Sequence, residues 1–127
     1  MTTVLLVEDN DMNRDMMIMR LTKRGYTVES AADGNEAVEK AIRICPDIIL
    51  MDMSLPKMDG LTATRMVKSN PASEKIPVIV LTANATVFDR DNALAAGCDD
   101  FETKPVNFSQ LIEKMNYCLE HAGRRDG

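Results

Sequence analysis

The sequence predicts a three-layer α/β domain in which a five-stranded parallel sheet lies between helices. Two observations carry most of that expectation. The runs Val4-Leu5-Leu6-Val7 and Ile48-Ile49-Leu50-Met51 are apolar throughout, as strands covered on both faces must be. Strand-like and helix-like segments also alternate five times along the 127 residues, with short connections. Such alternation gives right-handed crossovers and helices on both sides of one sheet. The length suits a single domain that buries roughly two-thirds of its unfolded surface, and leaves no room for a second.

Each element has its own signal. The first strand is read at 3–7 and the first helix at 11–24, where Asp9 or Asn10 is a candidate cap and Arg24-Gly25 a stop. Met12, Met16 and Met19 share one face of this helix at helical spacing and are expected to form a core stripe. Met17 and Ile18 widen that apolar arc, which leaves a small docking surface open as a second role. The second strand is read at 26–30. Asp33-Gly34 then opens a helix at 35–44, ended by Pro46. The third strand spans 47–51 and the third helix 60–69. The run Pro77-Val78-Ile79-Val80-Leu81 gives the fourth strand, 77–81, followed by a helix at 86–96 that Gly97 closes. A short fifth strand at 99–102 and a helix at 108–121, capped by Asn107 or Ser109, complete the domain. The domain is thus expected to span 1–121, with 122–127 a frayed tail.

Composition narrows the classes of partner. A net charge of −5 and a pI near 4.8 argue against nucleic acid or an anionic membrane as a direct partner. Cys45, Cys98 and Cys118 are odd in number, with no CxxC pair, and are expected as buried thiols of a reducing compartment. Met1-Thr2-Thr3 leads straight into a strand without a basic segment or apolar signal core. No apolar run has bilayer length. A soluble, cytoplasmic protein is the expectation.

Chemistry collects at the strand ends. Strand one is followed by Glu8 and Asp9, strand three by Asp52, strand four by Thr82, and strand five by Lys104. In an open α/β sheet the ligand crevice lies outside the carboxyl ends of the strands. Three carboxylates gathered there repel one another unless a cation sits among them. An all-oxygen set suits a hard ion such as Mg²⁺. Any one of these residues could be a solvated loop group or a helix cap, but the set is chemically complementary. A carboxylate can attack phosphorus to form an aspartyl-phosphate, and Asp52, ending a central apolar strand, is best placed to do so. Glu8 and Asp9 are better placed to hold the ion. Lys104 offers a fixed cation for the charge that develops on phosphoryl oxygens, and Thr82 a hydroxyl donor.

At these residues the chain resembles response regulator receiver domains of two-component signalling. The matching motifs are VLLVEDN, DIILMDMSLPKMDG, IPVIVLTA and FETKP, and the likeness runs from Thr3 to about Glu120. It implies a flavodoxin-like sheet of order 2-1-3-4-5, with Asp52 as phosphoacceptor. It further implies Asp9 as a direct metal ligand, Glu8 as a ligand through water, and the Ser54 backbone carbonyl as the remaining protein ligand. Magnesium is the implied ion, with manganese as a substitute. Thr82 and Lys104 take the roles of phosphate-sensing hydroxyl and bridging lysine, with Ala83 beside them at the phosphate. The Lys104-Pro105 bond is expected to be cis. Phe101 occupies the switch position, where tyrosine is frequent in the family, so no hydroxyl is offered to a partner there; a fixed core aromatic on an edge strand is the other reading of this residue. The form VEDNDMN, with Asn10 and Asn13, is most similar to receivers of hybrid kinases and of single-domain regulators in multistep relays. The implied partner is a histidine kinase or histidine phosphotransfer protein. Output would pass by contact to a downstream protein, from a monomeric regulator rather than an enzyme.

Other readings fit less well. An aspartate-nucleophile phosphatase of the haloacid dehalogenase type needs a second aspartate two positions after the nucleophile, where this chain has Ser54. A flavin binder needs a glycine- and hydroxyl-rich phosphate loop after strand one, where Glu8, Asp9 and Asp11 stand instead. A phosphate-independent receiver-like module typically lacks an acid or the lysine of the set, and none is missing here. His121, the one histidine, is expected as a solvated helix terminus that suits the dipole.

Overall fold

The computed structural model describes residues 2–83 and 87–122, without the side chains of 87–89. Five strands, β1 (Thr3–Val7), β2 (Thr27–Ala31), β3 (Ile48–Asp52), β4 (Val78–Thr82) and β5 (Asp100–Thr103), alternate with five helices. The helices are α1 (Asp11–Lys23), α2 (Gly34–Ile44), α3 (Gly60–Ser69), α4 (Val87–Ala95) and α5 (Phe108–His121). All strands are parallel, in the order β2-β1-β3-β4-β5. The switch point, where the chain reverses direction across the sheet, lies between β1 and β3.

Strands β2 to β5 each begin one residue later than the sequence suggests and end one residue later. The residues that drop out have other work. Pro77 lacks an N–H for the ladder, while Asp99 and Asp47 turn their carboxylates onto the Val78 and Thr3 amides at 2.7 Å. At the other end Asp52 pairs with Leu81, and Thr82 with Thr103. Asp52 and Thr82, expected after their strands, are therefore the last rungs, held by the ladder itself, while Glu8, Asp9 and Lys104 lie beyond theirs as expected. Thr86, read as the start of the fourth helix, and the tail beyond Ala122 lie outside the described residues.

The sheet divides the interior into two cores. On one face α2, α3 and α4 bring Ala37, Ala41, Ala63, Val67 and Ala93 against Leu5, Val7, Ile49, Met51, Val78 and Val80. On the other, Met17 and Leu21 of α1 and Leu111, Met115 and Cys118 of α5 cover Val4, Leu6, Ile48, Leu50, Ile79 and Leu81. The alternation along each strand decides which side chain belongs to which core.

Helix α1 corrects the expected methionine stripe. Met17 is 7% exposed and Leu21 is fully buried, whereas Met12 is 80%, Met19 52% and Met16 44% exposed. The helix seats itself on the arc centred on Met17 and Leu21, with Ile18 at its margin. Three methionines are left on its outer side. Cys45 is a second correction. It is exposed, because it forms the left-handed cap of α2 at φ 51° just before Pro46, and only Cys98 and Cys118 are buried.

Capping follows the sequence. Asn10, Asp33, Asp59 and Asn107 each accept a hydrogen bond from the backbone N–H three residues on. Asp59 accepts from the Thr62 N–H at 2.8 Å and from the Thr62 hydroxyl at 3.0 Å. The amide bond holds its carboxyl below the ordinary value of 3.8. Removing this cap in Asp59→Ala should lower stability by about 1 kcal/mol at pH 7. A carboxyl with a depressed folded pKa stabilises above its unfolded value, and that stability is lost as pH falls through the folded one. The difference between wild type and variant should therefore shrink as pH drops below 3.8, as urea unfolding across this range would measure. A pH-independent difference would mean that the carboxylate is not the cap.

Candidate functional site

The cleft forms where β1 and β3 end side by side. Glu8 leaves β1 with its N–H donating to the Ala31 carbonyl at 3.0 Å, and its own carbonyl accepts from Arg14 Nη1 at 2.8 Å. Its Oε2 accepts from the Asn10 N–H at 3.2 Å. Asp52 ends β3, and its Oδ1 accepts from the Ser54 N–H at 3.1 Å. Glu8 is 4% and Asp52 3% exposed, while Asp9 faces solvent. A ligand oxygen from each of Glu8, Asp9 and Asp52 lies within 4.8 Å of the others.

Lys104 closes the cluster from just beyond β5. Its Nζ stands 3.0 Å from Asp52 Oδ2 and 3.5 Å from Glu8 Oε1. Its backbone N–H donates to the Thr82 carbonyl at 2.7 Å, which ties the lysine to the end of β4. The Lys104-Pro105 peptide is cis. Thr82 is buried as the last residue of β4, and Ala83 follows it at the surface. The five groups singled out in the sequence, Glu8, Asp9, Asp52, Thr82 and Lys104, thus sit at one edge of the sheet.

The electrostatics are those of a crowded anion site. Burial holds the Glu8 carboxyl above its ordinary range, and the neighbouring Asp52 pushes the same way. Burial pulls the Lys104 ammonium downward, but its hydrogen bond to Asp52 and the charges of Asp52 and Glu8 outweigh this, so it is raised. One ammonium facing three carboxyl groups leaves the cleft short of positive charge. Hard oxygen donors, close together and under-neutralised, fit a small divalent cation.

Several contributors carried no sequence signal. Gly60 opens α3 so close to β3 that a Cβ there would overlap the Asp52 carbonyl oxygen. The loop from Asp52 to Gly60 folds tightly, with the Met58 N–H donating to the Pro56 carbonyl at 2.7 Å around Lys57, whose φ is +66°. A groove of about 320 Å³ runs from Glu8 and Lys104 along Met16 and Met17 to Val106 and Phe108. Phe101, half-buried on β5, packs against the core under α3 and α4. Because Val80 pairs with Phe101 and Thr82 with Thr103, Thr82 and Phe101 project from the same face of the sheet. His121 ends α5 with its ring stacked on Tyr117 and Nδ1 2.8 Å from the Tyr117 carbonyl oxygen, as a helix terminus rather than a group of the cleft.

Acid at the switch point of a doubly wound sheet, opposite a lysine, is the arrangement that the receiver resemblance implies. Residues 4–116 match the model of the response regulator receiver domain, and the chain belongs to that family. It is 40% identical over 116 residues to hybrid signal transduction histidine kinase G of Dictyostelium discoideum, covering 89% of this chain and 3% of that protein. Response regulator PleD of Caulobacter vibrioides is 38% identical over 112 residues, 88% of this chain and 25% of PleD. The chain therefore spans only a small part of either relative. Among solved structures, the receiver domain of sensor histidine kinase PA1611 from Pseudomonas aeruginosa superposes with a TM-score of 0.87 at 39% identity, covering 94% of this chain and 98% of that one. That crystal structure has a magnesium ion coordinated in its active-site cleft. The expected fold class, flavodoxin-like with order 2-1-3-4-5, is the one observed. No helix among the described residues is long and apolar enough to cross a membrane.

Proposed function

We propose that this chain is a phosphorylation-controlled switch that accepts a phosphoryl group on Asp52 from a histidine kinase or histidine phosphotransfer protein. The observation that carries the reading is the Lys104 ammonium 3.0 Å from Asp52 Oδ2, beside the Glu8–Asp9 carboxylates. An Asp52 carboxylate oxygen attacks the phosphorus of the donor phosphohistidine. The P–O bond forms as the P–N bond breaks, and the electron pair returns to the imidazole nitrogen. Lys104 is placed to hold charge on the phosphoryl oxygens, and Thr82 and Ala83 adjoin the position those oxygens take. Asp9, Glu8, Asp52 and the Ser54 backbone carbonyl would hold magnesium, or manganese in its place. When bound, the cation supplies Lewis-acid stabilisation of the transferring group. The magnesium of the Pseudomonas neighbour supports this assignment by likeness. Ser54 in place of a second aspartate leaves no acid to protonate a leaving group, so the chain is read as a regulator and not a phosphatase. Its setting is taken to be the cytoplasm, and its output a contact with a downstream protein.

The test uses acetyl phosphate as donor and intact mass as readout. Wild type should gain one phosphoryl group with Mg²⁺ present and none with EDTA. Asp9→Asn removes one anion from the ion's shell and should raise the Mg²⁺ needed for half-maximal labelling about tenfold, the equivalent of about 1.4 kcal/mol. It should also stabilise the metal-free protein, because repulsion falls. A variant that is destabilised, yet labels at wild-type Mg²⁺, would make Asp9 a structural group and remove it from the metal site.

A further inference from the structure

Two cations from opposite layers of the domain meet on the Phe101 ring. Arg90 of α4 has its guanidinium carbon 5.3 Å from the ring centroid, and Lys114 of α5 has its Nζ at 5.4 Å. Lys114 is tethered and cannot follow the ring. Its Nζ donates to the Phe101 backbone carbonyl at 2.6 Å and stands 3.1 Å from Glu102 Oε2. That oxygen is buried and makes no hydrogen bond among the described residues, so the ammonium is also its counter-charge. Glu102 is 5% exposed, and a buried carboxylate holds a paired lysine firmly.

From this geometry we infer that Arg90 and Lys114 are positioning residues that hold Phe101 in its half-exposed state, and that they set the threshold at which the ring packs inward when phosphoryl oxygens on Asp52 draw in the Thr82 hydroxyl on the same face of the sheet. The inference rests on the proposed role of Asp52 and deepens it by naming what regulates the response. Cation–π attraction operates within about 6 Å of the ring centroid, and both cations already stand near that limit. A rotamer change moves the ring by more than the remaining margin. Inward packing therefore forfeits the Lys114 attraction, because the backbone and Glu102 keep that ammonium where it is, and it draws the ring away from Arg90 at the surface. Phe101 carries no hydroxyl, and the two cations act on the ring face.

Removing either cation should raise the inward-to-outward ratio of Phe101 about threefold, and removing both about tenfold. The experiment labels the chain with fluorophenylalanine and follows the Phe101 signal, assigned with Phe101→Leu, as beryllofluoride is added with Mg²⁺. Arg90→Gln and Lys114→Met should shift the unliganded signal towards the beryllofluoride-bound position. Arg90→Lys and Lys114→Arg should restore it. Labelling of Asp52 by acetyl phosphate should proceed in all of them, since neither residue touches the cleft. Lys114→Met strands a buried charge on Glu102, so Lys114→Met/Glu102→Gln provides a folded comparison, and Arg90→Gln stands independently of it. Signals that stay at the wild-type position in Arg90→Gln and in the Lys114 double variant, while wild type responds to beryllofluoride, would overturn this inference alone. A wild type that neither labels nor responds would overturn the proposed function beneath it.

Discussion

Asp52→Asn should lose phosphoryl uptake by at least about a hundredfold, the largest change expected from any substitution in this chain. The amide has nearly the same shape but no anionic oxygen to attack phosphorus. The fold should survive, because the β3 ladder holds position 52 through its backbone pairing with Leu81. Removing one of three clustered anions also relieves the repulsion that pushes Glu8 upward, so the metal-free variant should melt no lower than wild type. Intact-mass measurement after incubation with acetyl phosphate and Mg²⁺ gives the answer. Adduct formation equal to wild type would place the acceptor elsewhere, with Glu8 and Asp9 the carboxyls to test next.

Gly60→Ala should have the largest effect on stability, about 3 kcal/mol. The three atoms nearest the added Cβ are all backbone: the Asp52 carbonyl carbon and oxygen and the Met53 Cα, the last at 2.9 Å. No flexible side chain is there to yield, so either α3 moves out or the end of β3 moves in. Both displace Asp52, and phosphorylation should fall together with stability. Gly25→Ala is the comparison. Its φ of +93° makes a side chain strained, but nothing lies within 4 Å of its Cβ. That variant should lose about 1 kcal/mol and label normally. Chemical denaturation of the two proteins separates the cases. A Gly60→Ala protein as stable as Gly25→Ala would mean that α3 can back away from β3 at little cost.

Much of this architecture is legible in the sequence because it is written in short-range signals. The apolar runs at residues 4–7 and 48–51, the caps Asn10, Asp33 and Asn107, and the breaks at Gly25 and Gly97 each act on their own neighbourhood. Strand ends can then be collected at one edge by topology alone, which is how Glu8, Asp9, Asp52, Thr82 and Lys104 could be named together. What failed depends on contacts across the fold. Helical spacing groups Met12, Met16 and Met19 on a face, but it does not say which of two apolar faces meets the sheet. That choice is made by Met17 and Leu21 fitting between β-strand residues and α5. The one-residue shift of β3, β4 and β5 follows from Asp47 and Asp99, whose carboxylates take the Thr3 and Val78 amides, and from Pro77, which has no N–H for the ladder. Gly60 against Asp52, and Lys114 against Phe101 and Glu102, join residues distant in sequence or hidden by backbone proximity.

The two cores on either side of the sheet share no side chain, and this makes the sheet a partition. Loosening of α1 or α5 acts on Val4, Leu6, Leu50 and their neighbours. Loosening of α2 or α3 acts on Leu5, Val7, Met51 and theirs, so the two helix layers reach each other only through the strands they share. Side chains of the two layers come together at the margin at β5, where Arg90 and Lys114 reach one ring from both sides. The paired strands β4 and β5 join that margin to the acidic edge, Thr82 lying two residues beyond the partner of Phe101.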